Sequence, residues 1–308
     1  MEAEYTEVYD LRDAGGGVLH NQMRVDGMRI PTFRKPPGVT AAIFRNIKHL
    51  KIREDDILLC TPVKSGTHWC FEILTMLLNG TTELSDIQKI FLMLINVHEE
   101  ELDKMKSPRI LNTHFPFRML PIQMKEKKTK IVLVLRNPKD VAVSLYYHHT
   151  GMTNYYYNGK FSDHLKLFME GRLMYNSWFD YVLEFEKALN AEPHRIHLVY
   201  YEDLKENGVE EIARIAKFLG VPAAVDAELI ETINEKCQFK SMKEGKMYSP
   251  ELAKKMFVDP SKFNIYRKGE IGDWKNHFTV AENEAFDKLY QEKMKTSKLK
   301  FRFEPSAK

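Results

Sequence analysis

The sequence predicts an α/β fold, in which helices flank a central parallel β-sheet within one three-layer domain. Short apolar runs alternate along the chain with longer helical patterns, which is the element order of parallel sheets with helical crossovers. The run at 130–135, KIVLVL, is rich in β-branched residues and apolar on both faces, as a buried parallel strand should be. The chain has 308 residues, 44% of them hydrophobic, which is enough for a large core.

The predicted elements follow a segment of different composition. Residues 1–40 are rich in Gly and Pro, so we expect an extended N-terminal arm and a domain over residues 41–305. Asn137 is placed to cap the helix after the third strand, with Pro138 at its first position. Gly80 and Gly220 are placed to end two other helices, the first of which runs from about residue 69 to 79. The predicted strands are, in chain order, 57–60, 109–111, 130–135 and 195–200.

Composition narrows the classes of partner and compartment. The formal net charge is +3, which is too small to indicate nucleic acid as the main partner. Cys60, Cys70 and Cys237 are widely spaced and form no C-x-x-C, so neither a disulfide framework nor a zinc site is predicted. The N-terminal stretch is acidic and polar, unlike a signal peptide, and no apolar run approaches the ~18 residues that span a bilayer. We therefore expect a soluble, cytoplasmic protein.

The stretch LLCTPVKSGTHW, residues 58–69, has the outline of a loop that binds phosphate. A strand enters it and a helix leaves it, so backbone N–H groups at the helix N-terminus favour an anion. Gly66 lets the backbone approach closely, and Lys64 adds a cation. The nucleotide-triphosphatase loop, G-x-x-x-x-G-K-[ST], has its lysine after the last glycine, whereas Lys64 precedes Gly66. Taken alone, the stretch also fits an ordinary strand-to-helix turn with a capping Ser or Thr.

Three further motifs carry candidate functional residues. Arg136 ends the strand KIVLVL, where its guanidinium can fork onto a phosphate, and Ser144 lies two turns into the next helix. The R-K-G segment at 267–269 places two cations beside a flexible residue. His114 follows a strand candidate and is a candidate base if that strand ends at the same cleft as Lys64. Each motif alone also fits a structural role, such as a surface salt bridge, a solvated basic turn or a core histidine.

Five motifs, in one order along the chain, resemble those of the cytosolic sulfotransferases. They are Lys64-Ser-Gly-Thr-x-Trp69, His114 in T-H-F-P, Arg136-Asn-Pro-Lys-Asp-Val-Ala-Val-Ser144, Tyr201-Glu-Asp-Leu and Arg267-Lys-Gly-x-x-Gly-Asp-Trp-Lys. That family moves a sulfuryl group from 3′-phosphoadenosine 5′-phosphosulfate (PAPS) to a hydroxyl or amine of a small molecule. The resemblance covers roughly residues 40–305, and the ordered set is far more specific than any single motif.

The resemblance implies a role for each matching residue. His114, Lys64 and Ser144 would be the catalytic residues, with His114 as the base and Lys64 stabilising the leaving phosphate. Asn112, His114 and Phe115 would meet the acceptor. The residues that would hold PAPS, or its product PAP (3′,5′-ADP), are Lys64, Ser65, Gly66, Thr67, His68 and Trp69 for the 5′-phosphosulfate; Arg136, Ser144, Arg267, Lys268 and Gly269 for the 3′-phosphate; and Trp69, Tyr201, Cys237, Gln238, Phe239 and Met242 around the adenine.

These roles agree with the chemistry of the donor. PAPS carries phosphate groups at two ends, which accounts for two separated basic motifs in a chain of low net charge. Sulfuryl transfer, like phosphoryl transfer, depends mainly on positioning and charge stabilisation. Negative charge builds on the bridging oxygen as the S–O bond breaks, and Lys64 at the front of the loop is suited to meet it. The leaving group is a stable phosphate, so no metal is expected, and no cluster has metal-ligand spacing.

Four positions depart from the family's pattern. The proline of the loop stands one place early, at Pro62, and Val63 precedes the lysine. His68 replaces a threonine, which keeps a backbone N–H but loses a hydroxyl contact. Asn112 stands where many members have a lysine, which removes a cation near the transferred group. We therefore expect altered donor geometry at the loop, and we carry over no preference for a particular acceptor.

The C-terminal region matches one more pattern of the family, a short homodimer contact. The resemblance implies a homodimer, because two such segments can pair symmetrically. The segment is too short for a large interface, so we expect the dimer to be weak and concentration-dependent. Thr279 also fits a helix cap, and the two roles are compatible. The residues of the pattern are Lys275, Thr279, Val280 and Glu284.

Three alternative functions stay open at this point. A non-catalytic homologue that binds PAPS or PAP is supported only by Asn112 and His68. A P-loop kinase is disfavoured because the G-x-x-x-x-G-K pattern is missing. A carbohydrate sulfotransferase of the Golgi is disfavoured because no apolar run is long enough for a membrane anchor.

Overall fold

Seven strands form two separate sheets in the computed structural model, which describes residues 6–32, 35–85, 92–245, 248–262 and 265–306. The strands are β1 (Thr6–Arg12), β2 (Val18–Val25), β3 (Met28–Pro31), β4 (Ile57–Cys60), β5 (Ile110–Thr113), β6 (Lys130–Leu135) and β7 (Ile196–Tyr200). The helices are α1 (Pro37–Asn46), α2 (Thr67–Asn79), α3 (Glu99–Asp103), α4 (Gln123–Glu126), α5 (Pro138–Gly151), α6 (Phe161–Met169), α7 (Trp178–Ala191), α8 (Tyr201–Glu206), α9 (Gly208–Leu219), α10 (Ala227–Lys236), α11 (Phe239–Gly245), α12 (Pro250–Met256) and α13 (Val280–Met294).

The larger sheet is parallel throughout, with the strand order β5-β4-β6-β7. All four residues of β4 are buried, and so are five of the six residues of β6, because helices cover the sheet. Among them, α9 turns Ile212, Ile215, Ala216 and Leu219 inward, a stripe that repeats every three or four residues. The predicted α/β fold with a parallel sheet flanked by helices is therefore confirmed.

The chain forms two compact units. One contains the parallel sheet and comprises Arg45–Arg136 and Glu184–Met247, and we call it the parallel-sheet unit. The other contains β1, β2 and β3 and comprises Met1–Phe44, Asn137–Leu183 and Tyr248–Lys308; we call it the antiparallel-sheet unit. An arm over 1–40 and a single domain over 41–305 stay predictions.

The predicted elements of the parallel sheet recur with small shifts of their ends. β6 has the predicted bounds, whereas β5 runs two residues further than predicted and α2 begins two residues earlier. Gly80 ends α2 in a left-handed conformation, with φ of 59°. The side chain of Asn137 accepts a hydrogen bond from the Asp140 N–H at 2.9 Å, so it caps α5 as predicted.

The antiparallel sheet of β1, β2 and β3 lies within the segment for which the sequence predicted only an extended arm, residues 1–40. β2 and β3 are joined by Asp26 and Gly27, whose φ values of 47° and 80° fit the two-residue turn of a tight hairpin. The Asp13 carboxylate, between β1 and β2, accepts a hydrogen bond from the Tyr157 hydroxyl of the same unit. The Gly and Pro content of the segment hid these hairpins because the same residues also build turns.

Candidate active site

The carboxyl edge of the parallel sheet carries the first residue after each strand. These residues are Thr61 after β4, His114 after β5, Arg136 after β6 and Tyr201 after β7, and all four are buried. Parallel strands end at the same edge of their sheet, and ligands of α/β folds bind there. The sheet itself therefore fixes the backbone positions of these four residues.

The loop between β4 and α2 depends on two residues with positive φ. Lys64 has φ of 66°, and Gly66, which caps α2, has φ of 99°. A Cβ atom on Gly66 would lie 2.9 Å from Cδ2 of Tyr201, so glycine is needed for the loop to approach that ring. The N-terminus of α2, with its partial positive charge, faces this loop and favours an anion there.

The Ser65 side chain indicates which group the loop suits. Ser65 is fully buried, and its Oγ has no hydrogen-bond partner among the residues that the structure describes. A buried hydroxyl without a partner costs about 1–3 kcal/mol. The Thr67 hydroxyl, by contrast, lies 2.7 Å from Oγ1 of Thr61. An oxygen of a phosphate or sulfate group would satisfy Ser65, so the residues of this loop fit the phosphosulfate end of PAPS.

The imidazole of His114 is oriented by the end of β4. Its Nδ1 lies 2.9 Å from the backbone oxygen of Thr61 and 3.1 Å from Oγ1 of the same residue. A carbonyl oxygen can only accept, so Nδ1 carries the hydrogen and Nε2 holds the lone pair of the neutral ring. His114 is 6% exposed, which limits the ring's access to water. This is the tautomer that a base acting through Nε2 requires.

Tyr201 gathers several predicted residues around its ring. The ring centroid lies 5.4 Å from that of Trp69, edge to face, and 4.2 Å from the guanidinium carbon of Arg136. Arg136 also donates a hydrogen bond from Nη1 to the backbone oxygen of Lys64 at 3.4 Å. The structure thus brings Arg136, Trp69 and Tyr201 to the loop that contains Gly66.

Asn112 and Phe115 stand on either side of the end of β5. Asn112 pairs with Leu59 of β4, so it lies beside the strand that enters the loop. It is fully buried, and its backbone oxygen accepts a hydrogen bond from the Leu94 N–H at 3.0 Å. Phe115 is also buried, and its N–H donates to Oγ1 of Thr113 at 3.1 Å. Both predicted acceptor residues therefore have fixed positions next to His114.

The segment predicted to line the nucleotide has two faces. Cys237 and Met242 are buried, and Sγ of Cys237 lies 3.9 Å from Sδ of Met76. Burial raises the pKa of the Cys237 thiol well above its usual range, so the thiol is protonated at neutral pH. Gln238 is exposed and Phe239, the first residue of α11, is half-buried. The structure therefore leaves Phe239 and Gln238 accessible, while Cys237 and Met242 support them from the core.

Ser144, Arg267, Lys268 and Gly269 lie in the antiparallel-sheet unit. Arg267 and Lys268 both bind the Asp273 carboxylate, with Nη2–Oδ2 at 2.5 Å and Nζ–Oδ1 at 2.6 Å. The guanidinium carbon of Arg267 also lies 4.7 Å from the ring centroid of Tyr147. Ser144 and Tyr147 are three residues apart on α5, so they share one face of that helix. The structure thus brings Arg267 to the helix face that carries Ser144, and Lys268 shares the Asp273 carboxylate with Arg267.

Asp140 holds the backbone that follows these cations. Its Oδ2 accepts a hydrogen bond from the Gly272 N–H at 2.8 Å, and its Oδ1 accepts one from the Trp274 N–H at 3.0 Å. Gly269 and Gly272 have φ of 69° and 83°, values that glycine adopts without strain. The sequence analysis did not identify Asp140 and Asp273 as site residues. The signal that could have identified them is that each carboxylate stands close to a basic motif in the sequence.

The pKa of Asp273 is held well below its usual range. Burial by itself would raise it, but hydrogen bonds from Lys268, Asn276 and Arg267 outweigh that effect. Asp273 is therefore ionised at neutral pH. Two cations share this one carboxylate, so the cluster keeps a positive charge that an anion can neutralise.

Several other kinds of site are not found in the residues that the structure describes. No group of three or more His, Cys, Asp or Glu side chains there is placed to hold a metal ion. Within the same ranges, no helix combines the length and the apolar character that crossing a bilayer needs. The three cysteines are buried and form no disulfide.

Comparison with known sequences places this chain among sulfotransferases. The model of the sulfotransferase domain family matches residues 54–298. Sulfotransferase 1B1 of Canis lupus familiaris is 37% identical over 277 residues, which cover 85% of this chain and 90% of that protein. Sulfotransferase 1E1 of Homo sapiens is 36% identical over 270 residues, which cover 84% of this chain and 90% of that protein.

Comparison with solved structures also finds a sulfotransferase. The crystal structure of mouse sulfotransferase SULT7A1 complexed with PAP has a TM-score of 0.72 and 28% identity, covering 90% of this chain and 95% of that one. Retinol dehydratase in complex with androsterone and PAP has a TM-score of 0.75 and covers 97% of this chain and 99% of that one; at 19% identity it shows the shared fold. With the family match over residues 54–298 and relatives above a third identical across most of the chain, this protein belongs to the sulfotransferase family.

Proposed function

We propose that this sulfotransferase takes its sulfuryl group from PAPS and transfers it to a hydroxyl or amine of a small molecule, releasing PAP. The observation that carries the proposal is the link between the phosphate loop and the candidate base. Ser65 is buried in the loop with an unsatisfied hydroxyl, and His114 bonds Thr61, the residue that opens the same loop. The PAP complex of the mouse relative supports the choice of donor.

His114 is the proposed base. Its Nδ1–H stays on the Thr61 carbonyl, so Nε2 is the nitrogen that takes the proton from the acceptor. Once Nε2 has taken the proton, the ring is positively charged and both of its nitrogens are donors. The negative end of the Thr61 carbonyl dipole then stabilises that charge through Nδ1–H. Burial of the ring disfavours its charged form, and the Thr61 carbonyl offsets part of that cost.

Lys64 is the proposed cation for the leaving phosphate. Its φ of 66° is uncommon for a residue with a side chain, and such backbone positions concentrate at functional sites. Its backbone oxygen accepts the hydrogen bond from Arg136, which helps to hold this conformation. We infer that Lys64 is kept in a costly conformation because its ammonium meets the charge that develops on the phosphate.

The nucleotide is proposed to bind along the parallel-sheet unit. Trp69 and the half-buried Phe239 offer ring faces for the adenine, and Tyr201 offers its hydroxyl to the adenine's edge. The supporting observations are the contact of Trp69 with Tyr201 and the accessible position of Phe239 at the start of α11. Gln238 lies next to Phe239 and is exposed.

The 3′-phosphate is proposed to be held by cations and a hydroxyl. Arg267 and Lys268 supply the charge that Asp273 leaves unbalanced, and Gly269 supplies a backbone N–H. Ser144 supplies a hydroxyl, and its role in catalysis is to hold the donor in place. The Arg136 guanidinium, in the parallel-sheet unit, is a further proposed phosphate ligand.

The acceptor is proposed to sit beside His114, between Asn112 and Phe115. Asn112 offers an amide and Phe115 an apolar ring, which suits a molecule with a polar reacting group on an apolar body. Both residues are fixed at the end of β5.

A weak homodimer is proposed through the segment with Lys275, Thr279, Val280 and Glu284. Val280 is 75% exposed at the first position of α13, and Thr279 caps that helix through the Glu282 N–H at 3.2 Å. A cap of this kind leaves the apolar Val280 side chain on the surface, where a second copy can cover it. The buried, unbridged cysteines are consistent with the proposed location in the cytoplasm.

The test is an assay of the purified protein with PAPS and a panel of phenols, alcohols, sterols and amines. We expect release of PAP together with a sulfated product identified by mass spectrometry. Calorimetric binding of PAP without turnover on any acceptor would instead support the non-catalytic homologue. A protein that neither binds PAP nor turns over would contradict the proposal.

A further inference from the structure

Asp273 is the centre of a buried charge cluster in the antiparallel-sheet unit. Its side chain is 1% exposed, whereas the side chains of Arg267 and Lys268 are 24% and 43% exposed. Lys268 donates a hydrogen bond to Oδ1 of Asp273, and Arg267 forms an ion pair with Oδ2. Both cations have further N–H groups for an anion, since guanidinium and ammonium groups carry several. The carboxylate faces inward, and the cations it binds extend toward the surface.

Arg267 is held on a second side by an aromatic ring. Its guanidinium carbon lies 4.7 Å from the ring centroid of Tyr147, within the range of a cation–π contact. One edge of the guanidinium is therefore fixed by Asp273 and one face by Tyr147. Tyr147 shares a face of α5 with Ser144, so Arg267 lies against the helix face that carries Ser144.

The backbone that carries Asp273 is fixed as well. The residues on both sides of it, Gly272 and Trp274, donate their N–H groups to the Asp140 carboxylate at 2.8 and 3.0 Å. Lys139, the neighbour of Asp140, lies 4.2 Å from the ring centroid of Trp274. The start of α5 thus sets the position of Asp273, and Asp273 sets the positions of the two cations.

We propose that Asp273 and Tyr147 are positioning residues that give this protein its preference for a nucleotide with a 3′-phosphate. The inference rests on the proposed function, in which Arg267, Lys268 and Ser144 hold that phosphate. Adjacent like charges repel and would separate in water, so two neighbouring cations need a fixed counter-charge to converge on one anion. Asp273 is that counter-charge, and it remains ionised at neutral pH.

A carboxylate beside two cations can either position them for the phosphate or compete with the phosphate for them. If Asp273 merely competed with the phosphate for the same cations, removing its charge would strengthen phosphate binding. If it positions them, removing its charge weakens phosphate binding, because the cations must be ordered when the nucleotide arrives. The exposures favour positioning, because a phosphate at the surface can meet the partly exposed cations without displacing the buried carboxylate.

The test compares the affinities of two nucleotides, PAP and 5′-AMP, which differ in the 3′-phosphate alone. Calorimetric titrations are run with the wild-type chain, Asp273→Asn and Tyr147→Leu. We expect both variants to bind PAP about tenfold more weakly or worse, while 5′-AMP affinity stays within about twofold. Tyr147→Phe, which keeps the ring beside Arg267, should rescue the loss seen in Tyr147→Leu.

A matched control uses the same substitution elsewhere in this unit. Asp163→Asn removes a half-buried carboxylate that pairs with Lys166 at 3.2 Å, and it should leave the ratio of the two affinities unchanged. Equal losses for both nucleotides, unchanged PAP affinity or stronger PAP binding in Asp273→Asn would each overturn the inference. A wild-type chain with no preference for PAP over 5′-AMP would instead contradict the proposed function itself.

Discussion

The Nδ1 atom of His114 lies 2.9 Å from the backbone oxygen of Thr61. This contact joins the end of β5 to the start of the phosphate loop, two segments that are far apart in sequence. Because the acceptor is a backbone atom, no side-chain substitution at position 61 removes it. The orientation of the candidate base is therefore built into the backbone of the sheet edge.

The first prediction concerns the role of His114 in turnover. His114→Ala removes the base but leaves the phosphate loop, so turnover should fall by about 10²–10⁴-fold while PAP affinity changes little. Product formation and calorimetric PAP binding are measured on the same preparation. His194→Ala, at an exposed position, serves as the control. Full turnover by His114→Ala would remove this residue as the base.

The second prediction concerns Gly66, which combines a positive φ of 99° with the nearby ring of Tyr201. Gly66→Ala should weaken PAP binding by about tenfold or more, because the new Cβ displaces the ring or the loop. Gly80→Ala is the matched control, since Gly80 has φ of 59° and nothing within 4 Å of the added Cβ. It should lower stability by about 1 kcal/mol without changing PAP affinity. The same binding behaviour in both variants would contradict the close approach to Tyr201.

The third prediction concerns the ion pair of Arg109 and Asp56, which is buried at the opposite edge of the parallel sheet. The two side chains are 1% and 0% exposed, and the Nη2–Oδ2 distance is 2.5 Å. Arg109→Met leaves a buried carboxylate without its cation, so the free energy of unfolding should fall by about 3–5 kcal/mol. Denaturant titrations measure this change, and Glu170→Gln, in an exposed pair, should cost under about 1 kcal/mol. Equal losses of unfolding free energy in the two variants would show that the buried ion pair matters no more for stability than the exposed one.

The fourth prediction concerns pH. His164 is buried, and its Nε2 lies 2.8 Å from Nδ1 of His149; burial lowers the pKa of His164 to about 3. The unfolded chain binds a proton at this residue below about pH 6.5, while the folded chain does not bind it until about pH 3. Stability is therefore fully present above pH 6.5 and falls as the pH decreases, by up to about 1.4 kcal/mol per unit.

The variant His164→Leu should flatten this dependence. Thermal unfolding is followed between pH 4 and 7 for the wild-type chain, His164→Leu and the exposed-site control His194→Gln. The slope of Tm against pH should decrease in His164→Leu alone. An unchanged slope would mean that other groups govern the loss of stability in acid.

The fifth prediction concerns the homodimer. Val280→Lys places a charge at a position that is 75% exposed, and in a symmetric contact the charge appears twice. Sedimentation velocity over a range of concentrations should then show only monomers. Val225→Lys, which alters a side chain that is 93% exposed in the other unit, should leave the association unchanged. If both variants associate as the wild-type chain does, the dimer forms through another surface.

The parallel sheet could be predicted from the sequence because its strands carry their own signal. Lys130–Leu135 is apolar on both faces, and only a strand covered on both sides needs such a run. The antiparallel sheet was missed because Asp26 and Gly27 lie in a segment whose Gly and Pro content suggested no regular structure. The alternation of β2 beside this turn was the signal that could have identified the hairpin.

The candidate site was predictable in its parts but not in its contacts. Lys64, Arg136 and Arg267 stand in motifs with recognisable order, so each could be chosen from the sequence. The contact of Tyr201 with Gly66 and the bond of Thr61 to His114 join distant positions, and no spacing in the sequence reports such pairs. The neutralising role of Asp273 likewise depends on burial, which a single sequence does not display.

The placement of four site residues directly after their strands has a consequence for how this region can change. A loop between a strand and a functional side chain would absorb an inserted or deleted residue, but here there is no such loop. One residue gained or lost within β4, β5, β6 or β7 would turn the following side chain to the opposite face of the sheet. In related chains, insertions and deletions should therefore accumulate at the amino-terminal ends of these strands. Alignments of the related sequences should have no gaps within the strands or directly after them.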